Sequence, residues 1–95
     1  MVHVYIVRCR DNALYVGTTH NLEFRIERHN RGEGCSFTAR RRPVTLVFSE
    51  EHPTRAAAMA RERQIKRWTR AKKGALVASD VLRLIRLSPT SLRRR

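Results

Sequence analysis

Five polar side chains fall where the local pattern calls for apolar ones. Tyr5 and Tyr15 lie in the β-rich runs VHVYIVRC and LYVGTT, where Phe or Val would pack without a hydroxyl to satisfy. At about 100° per residue, Arg25 and His29 stand one helical turn apart and border the stripe carrying Leu22 and Ile26. Glu62 lies between Ala58 and Ile65 on a stripe that also takes in Thr69. Its carboxylate therefore points inward and needs a cationic partner or a metal ion. Singly, each has a plain structural explanation: core tyrosines whose hydroxyls reach the surface, an Arg25–Glu62 salt bridge, a packing or capping histidine. Together, two phenols, a guanidinium, an imidazole and a carboxylate resemble a set of groups suited to phosphodiester hydrolysis.

The elements must bring these groups together. Residues 2–9 and 14–19 read as a β-hairpin around Arg10-Asp11-Asn12-Ala13. With a three-residue loop and Asn12 in the left-handed conformation, Cys9 pairs with Ala13, Val7 with Tyr15 and Tyr5 with Gly17, so both tyrosines share a face. A four-residue loop pairing Cys9 with Leu14 would separate them. Residues 20–31 have helical spacing, with Gly32 as the stop. Residues 35–42 (CSFTARRR) read as an irregular basic connection with room for one helical turn, and Pro43 opens a third strand, VTLVFSE. From Thr54, TRAAAMARERQIKRWTRAKK predicts one long helix with no breaker until Gly74. Residues 75–87 predict a shorter closing helix, and 88–95 a mobile basic tail. The expected organisation is one domain, residues 1–87, plus that tail.

Composition narrows the partners. Lys and Arg number 21 against 8 Asp and Glu, a formal charge of +13 on 95 residues. Such a field favours a polyanion, nucleic acid first. Charges interrupt every apolar run too soon for a membrane span, and no basic amphipathic face suggests a membrane surface. Cys9 and Cys35 stand apart from each other and from any His cluster, reading as packing thiols rather than a disulfide or a zinc site. The N-terminal apolar run is too short for a secretion signal. A soluble, intracellular protein is expected.

The ordered set of motifs resembles the GIY-YIG nucleases. The resemblance rests on His3-Val4-Tyr5 and Tyr15-Val16-Gly17, ten residues from Tyr5 to Tyr15, then Arg25 and His29 in the next helix, then Glu62 within ARERQIKRW. It is closest to the small stand-alone members and covers residues 2–75. HVY stands in place of GIY, and Lys72-Lys73-Gly74 lie where some larger members carry an Asn. The resemblance implies an α/β chain of the α+β type: a three-stranded antiparallel sheet flanked by helices, with the five residues on one concave face.

It also implies an endonuclease dependent on a divalent metal, Mg²⁺ or Mn²⁺, held by Glu62. Arg25 would take the non-bridging phosphate oxygens, Tyr5 would act as base with His29 assisting, and Tyr15 would position. Gly17 would leave room for a phosphate backbone. Arg40, Arg41, Arg42, Lys66, Arg67, Arg70, Lys72 and Lys73 would track the strand. The expected substrate is DNA, with RNA the other candidate. No base-reading module accompanies the domain, so specificity is expected for structure or single strands, in repair, recombination or processing, or from a protein partner. The competing reading is a non-catalytic nucleic-acid-binding protein on the same fold. An adaptor would require an exposed apolar patch, and the sequence displays no obvious one.

Overall fold

The computed structural model of the chain describes residues 1–87; the basic tail expected over residues 88–95 lies outside them. The two β-rich runs form β1 (Val2–Arg8) and β2 (Leu14–Thr19). Asn12 takes φ +70, the left-handed conformation that a short polar side chain tolerates. The turn closes with Asn12 N–H donating to Cys9 O at 2.9 Å and Cys9 N–H donating to Ala13 O at 2.8 Å. The three-residue loop is thus the one adopted. Val7 pairs with Tyr15 and Tyr5 with Gly17, and both tyrosines share a face.

Strand β3 (Thr45–His52) pairs with the other side of β1, giving an antiparallel sheet of order β2-β1-β3. It begins two residues after Pro43 and runs to His52, later at both ends than expected. Val47 is an extra residue opposite the Ile6/Val7 step, a bulge in the β1–β3 ladder.

The central strand is buried on both faces. Val2, Val4 and Ile6 pack with Val16, Phe48, Ala58, Ile65 and Val77 on one side, while Tyr5 and Val7 pack with Cys9 and Val44 on the other, where Leu22 and Ile26 close over them. Two-sided burial explains why β1 reads as an almost continuous apolar run instead of alternating. The fully buried Ile65 pins its helix to the sheet, a burial worth about 1.5–3 kcal/mol.

Four helices flank the sheet: α1 (Leu22–Asn30), α2 (Ser36–Ala39), α3 (Arg55–Lys66) and α4 (Arg70–Leu87). The basic connection therefore contains one short helix. Asn21 caps α1, its Oδ1 accepting from Phe24 N–H at 3.1 Å, and Gly32 follows the C-terminus with φ +83. Thr54 caps α3 in the same way, accepting from Ala57 N–H.

The long helix expected from Thr54 is in fact two. Helix α3 ends at Lys66, and Thr69 starts α4 by accepting the Lys72 N–H at 3.1 Å through its hydroxyl. A capping Thr satisfies an orphan amide, and this outweighs the continuous helix propensity of the flanking residues. Thr69 accordingly does not share the Ala58–Ile65 stripe and is exposed, and Gly74 lies inside α4 rather than terminating anything.

A partly apolar surface hollow, unforeseen from sequence, lies between α1 and β3. Phe24 and Leu46 flank it, with Glu23 and Glu27 on its rim. None of the five candidate residues lines it.

Candidate active site

Tyr5 projects from the middle of β1 toward β2, and its phenol occupies the space above Gly17. A Cβ on Gly17 would lie 2.6 Å from the Tyr5 hydroxyl. The expectation that Gly17 leaves room for a phosphate is therefore corrected. The missing side chain admits the Tyr5 ring, because in direct cross-strand pairing any larger residue would collide with it.

The hydroxyl thus delivered is the hub of the site. Arg25 Nε–H donates to it at 3.2 Å, and His29 Nε2 lies 2.9 Å away. These two side chains reach it together because they stand four residues apart on α1 and share a face. Tyr5 is fully buried, and so is His29. Burial pushes the Tyr5 phenol above its ordinary value of 10.0, while the hydrogen bond and charge of Arg25 pull against it. His29 is held below its ordinary 6.5, first by burial and then by the charge of Arg25. At neutral pH the pair is a protonated phenol and an uncharged imidazole.

Tyr15 is half-buried on the same face, its ring edge-on to His29 at 5.4 Å between centroids and stacked on Phe37 at 5.9 Å. Burial first, and then the neighbouring Cys35 thiol, push its phenol far above the ordinary range, so it stays protonated and serves as a donor and a wall. Cys35 is correspondingly not remote from the site. Burial raises its thiol, but the polar surroundings supplied by Thr38, whose Oγ1 lies 3.5 Å from the sulfur, and by Tyr15 and the Phe37 backbone outweigh burial and leave it below its usual value. Cys9, by contrast, is a buried packing thiol.

Glu62 enters from α3 with a side chain 18% exposed, paired with Lys66 Nζ at 3.1 Å. The Lys66 ammonium also lies 5.7 Å from the centre of the Tyr15 ring, which ties this carboxylate to the tyrosines. The Arg25–Glu62 salt bridge considered as a structural alternative is not among the ion pairs of the described residues; Arg25 is spent on Tyr5. No cluster of three or more His, Cys, Asp or Glu side chains exists among the described residues. Glu62 on its own could offer a cation one carboxylate of hard oxygen character, with water and substrate oxygens to complete the shell. That donor set suits Mg²⁺ or Mn²⁺, and the Lys66 ammonium marks where a cation sits against the carboxylate.

Sequence patterns did not reveal the residues supporting the imidazole. Thr38, fully buried in α2, places its Oγ1 2.7 Å from His29 Nδ1. Gly34 lies flat against the ring, where a Cβ would collide with it. Asn30 ties α1 to the chain before β3, its Oδ1 accepting from Val44 N–H at 2.7 Å and its Nδ2 donating to Val44 O at 3.1 Å. The short stretch of SFTA and the one-residue spacing of a bare glycine carry no period from which such roles could be read.

The basic residues expected to track a strand divide into two groups. Arg41 donates to Asp11 Oδ2 at 3.1 Å and to Phe37 O at 2.8 Å, and Arg42 donates to Ala39 O at 2.9 Å. Both act as internal struts. Lys66 is paired with Glu62, and Lys72 lies 4.4 Å from the Trp68 ring centre. Arg40, Arg67 and Arg70 are exposed, and Lys73 is partly so.

A three-stranded antiparallel sheet, with tyrosines on neighbouring strands and Arg and His on the following helix, matches a known family. The family model described as the GIY-YIG catalytic domain covers residues 1–75, and the chain belongs to that nuclease family. It is also similar to UPF0213 proteins. Those of Staphylococcus aureus strains Mu3 and Mu50 are each 47% identical over 74 residues, spanning 78% of this chain and 90% of the relative. The solution NMR structure of a UPF0213 protein from Bacillus halodurans aligns with a TM-score of 0.54 at 37% identity, covering 82% of this chain and 84% of that one. Among the described residues no helix is long and apolar enough to cross a membrane.

Proposed function

We propose that this protein is a divalent-metal-dependent endonuclease that hydrolyses phosphodiester bonds in DNA, directed by structure or single-strandedness and serving repair, recombination or processing. The observation that carries the reading is the Tyr5 hydroxyl, buried without any exposed surface yet held between Arg25 Nε at 3.2 Å and His29 Nε2 at 2.9 Å. A packing tyrosine needs one hydrogen-bond partner; this one has a fixed cation on one side and an imidazole nitrogen on the other.

The residues divide the work as follows. Arg25 keeps four further N–H donors beyond Nε for the non-bridging phosphate oxygens, whose charge grows in the transition state. Its Nε caps the phenol oxygen, so drawing the guanidinium onto a phosphate frees that oxygen to accept a proton from water. The proton already on Tyr5 passes to His29 Nε2, leaving the charge on the imidazole. Tyr15, held protonated, orients the water or the phosphate. A Mg²⁺ or Mn²⁺ ion held by Glu62 would supply charge neutralisation at the leaving 3′ oxygen. Exposed Arg40, Arg67 and Arg70 contribute affinity without reading sequence.

The test is a cleavage assay on single-stranded, duplex and branched DNA and on RNA, with Mg²⁺, Mn²⁺ or chelator, using the wild type and Tyr5→Phe. Phe fits the same space, so the variant folds. Its cleavage is expected to fall by about 10²–10⁴-fold. Wild-type rates in Tyr5→Phe, or cleavage indifferent to chelator, would overturn the mechanism. Binding without cleavage of any substrate would favour a non-catalytic binding protein.

A further inference from the structure

We propose that Thr38 is a positioning residue that fixes the tautomer of His29, leaving Nε2 bare to accept the Tyr5 proton. The inference rests on the nuclease reading for its purpose, but its geometry stands alone. His29 is fully buried and its two ring nitrogens each meet one hydroxyl: Nε2 faces Tyr5 at 2.9 Å, and Nδ1 faces Thr38 Oγ1 at 2.7 Å. A neutral imidazole has one proton for these two places.

Counting hydrogens decides which nitrogen carries it. Arg25 Nε–H has the Tyr5 oxygen as its acceptor at 3.2 Å. Thr38 Oγ1 lies 3.3 Å from the backbone carbonyl of Cys35, which can only accept. With the proton on Nδ1, the bonds run in one direction through four links. Arg25 Nε–H donates to Tyr5 O, Tyr5 O–H to His29 Nε2, His29 Nδ1–H to Thr38 Oγ1, and Thr38 O–H to Cys35 O. Every hydrogen has an acceptor. The second lone pair of Thr38 faces the Cys35 thiol at 3.5 Å.

The opposite tautomer breaks the chain at both ends. The Tyr5 oxygen would then accept from Arg25 and from His29 Nε2–H, leaving its own proton without a partner in a fully covered site. Thr38 would have to turn its hydroxyl onto Nδ1 and abandon Cys35 O. Unmade hydrogen bonds in a buried site are expensive, so the anchoring carbonyl at the start of α2 dictates, through Thr38, which way the imidazole points its proton. Gly34 supports the same orientation by letting the chain lie flat against the ring. Removing Thr38 Oγ1 removes the only hydroxyl acceptor for Nδ1–H among the described contacts, and the two tautomers then compete. Tyr5 loses a dedicated proton acceptor although neither it nor His29 has been changed.

The experiment uses the full chain and two variants, Thr38→Val, which keeps shape and removes the hydroxyl, and Thr38→Ser, which restores it. Two-bond ¹H–¹⁵N correlation spectra at neutral pH read the His29 tautomer directly and need no substrate. The wild type and Thr38→Ser are expected to show a protonated Nδ1 and a bare Nε2, and Thr38→Val a mixture or the reverse. In cleavage assays Thr38→Val is expected to lose about 10–100-fold in kcat with KM little changed, and Thr38→Ser to recover most of it. A wild-type His29 protonated on Nε2 would overturn the proposal even if Thr38→Val failed to fold. So would a Thr38→Val that keeps the wild-type tautomer. If the wild type cleaves nothing, the nuclease reading fails while the spectra still decide the Thr38 assignment.

Discussion

At the scale of single residues the site turns on which polar groups are already engaged. Arg25 is bonded to Tyr5, and Glu62 to Lys66, whose side chain is 49% exposed. A half-exposed i,i+4 pair of this kind contributes only about 0.3–0.5 kcal/mol. Removing the Glu62 charge therefore strands no buried cation. Glu62→Gln is expected to melt within a few degrees of the wild type and to lose metal-dependent cleavage by at least about a hundredfold. A thermal melt and a cleavage gel on that variant check it, and a large drop in Tm with unchanged cleavage by the folded fraction would dismiss Glu62 as the metal ligand.

His29 gives the molecule a pH signature. Its folded pKa lies below the ordinary 6.5 because burial, then Arg25, disfavours the imidazolium. Between the two values the unfolded chain binds more protons than the folded one, so stability rises with pH there. The contribution is fully present above pH 6.5 and is lost as pH falls from 6.5 through the lower folded value. Tm measured from pH 7.5 to 5 should show this decline, and His29→Gln should remove that part of the slope.

At the scale of elements, the site depends on one strand pair approaching closely and on a four-residue helix within the basic connection. Gly17 lies opposite Tyr5 in the β1–β2 ladder, and the phenol fills the room that its missing Cβ leaves. Gly17→Ala places a methyl 2.6 Å from the Tyr5 hydroxyl, a separation that real contacts do not tolerate. The ring must move off the Arg25–His29 line. Loss of stability of about 1–3 kcal/mol, as for overpacked cores, is expected with a disproportionate loss of cleavage. Denaturant melts and cleavage by the folded protein would measure both. An Ala variant with normal stability and normal cleavage would mean that the tight fit above Gly17 is not what holds the phenol in place. Helix α2 matters for a different reason: four residues suffice to bring Thr38 under the imidazole.

For the molecule as a whole, the charge of +13 sets how it meets its substrate. Arg41 and Arg42 brace their own loop through Asp11 and backbone carbonyls, whereas Arg40, Arg67 and Arg70 are exposed and are, on the proposed reading, the cations that contact phosphates. With about four phosphate contacts, counting Arg25 at the scissile phosphate, affinity for nucleic acid should fall by about 10²-fold between roughly 50 and 200 mM salt. Fluorescence anisotropy with a labelled oligonucleotide would show it. A nearly flat salt dependence would sink the electrostatic account of binding.

How much was legible in the sequence follows from which signals are local. The β-rich runs VHVYIVRC and LYVGTT and the turn residues between them determined the hairpin, while the choice of the three-residue loop, and with it the shared face of the two tyrosines, was settled by the structure. Spacing four residues apart on α1 determined that Arg25 and His29 act together. The break between α3 and α4 was also a local signal, the capping hydroxyl of Thr69, but it was masked by the helix propensity around it. Tertiary structure alone decided the rest. It showed that the Tyr5 ring, not a phosphate, fills the space at Gly17, that Glu62 pairs with Lys66 rather than Arg25, and that Thr38 and Gly34 crowd around the imidazole while Cys35 meets Thr38 behind it. These are contacts between elements distant in sequence, governed by close packing and by the need of each buried polar atom for a partner. No pattern within one segment encodes them.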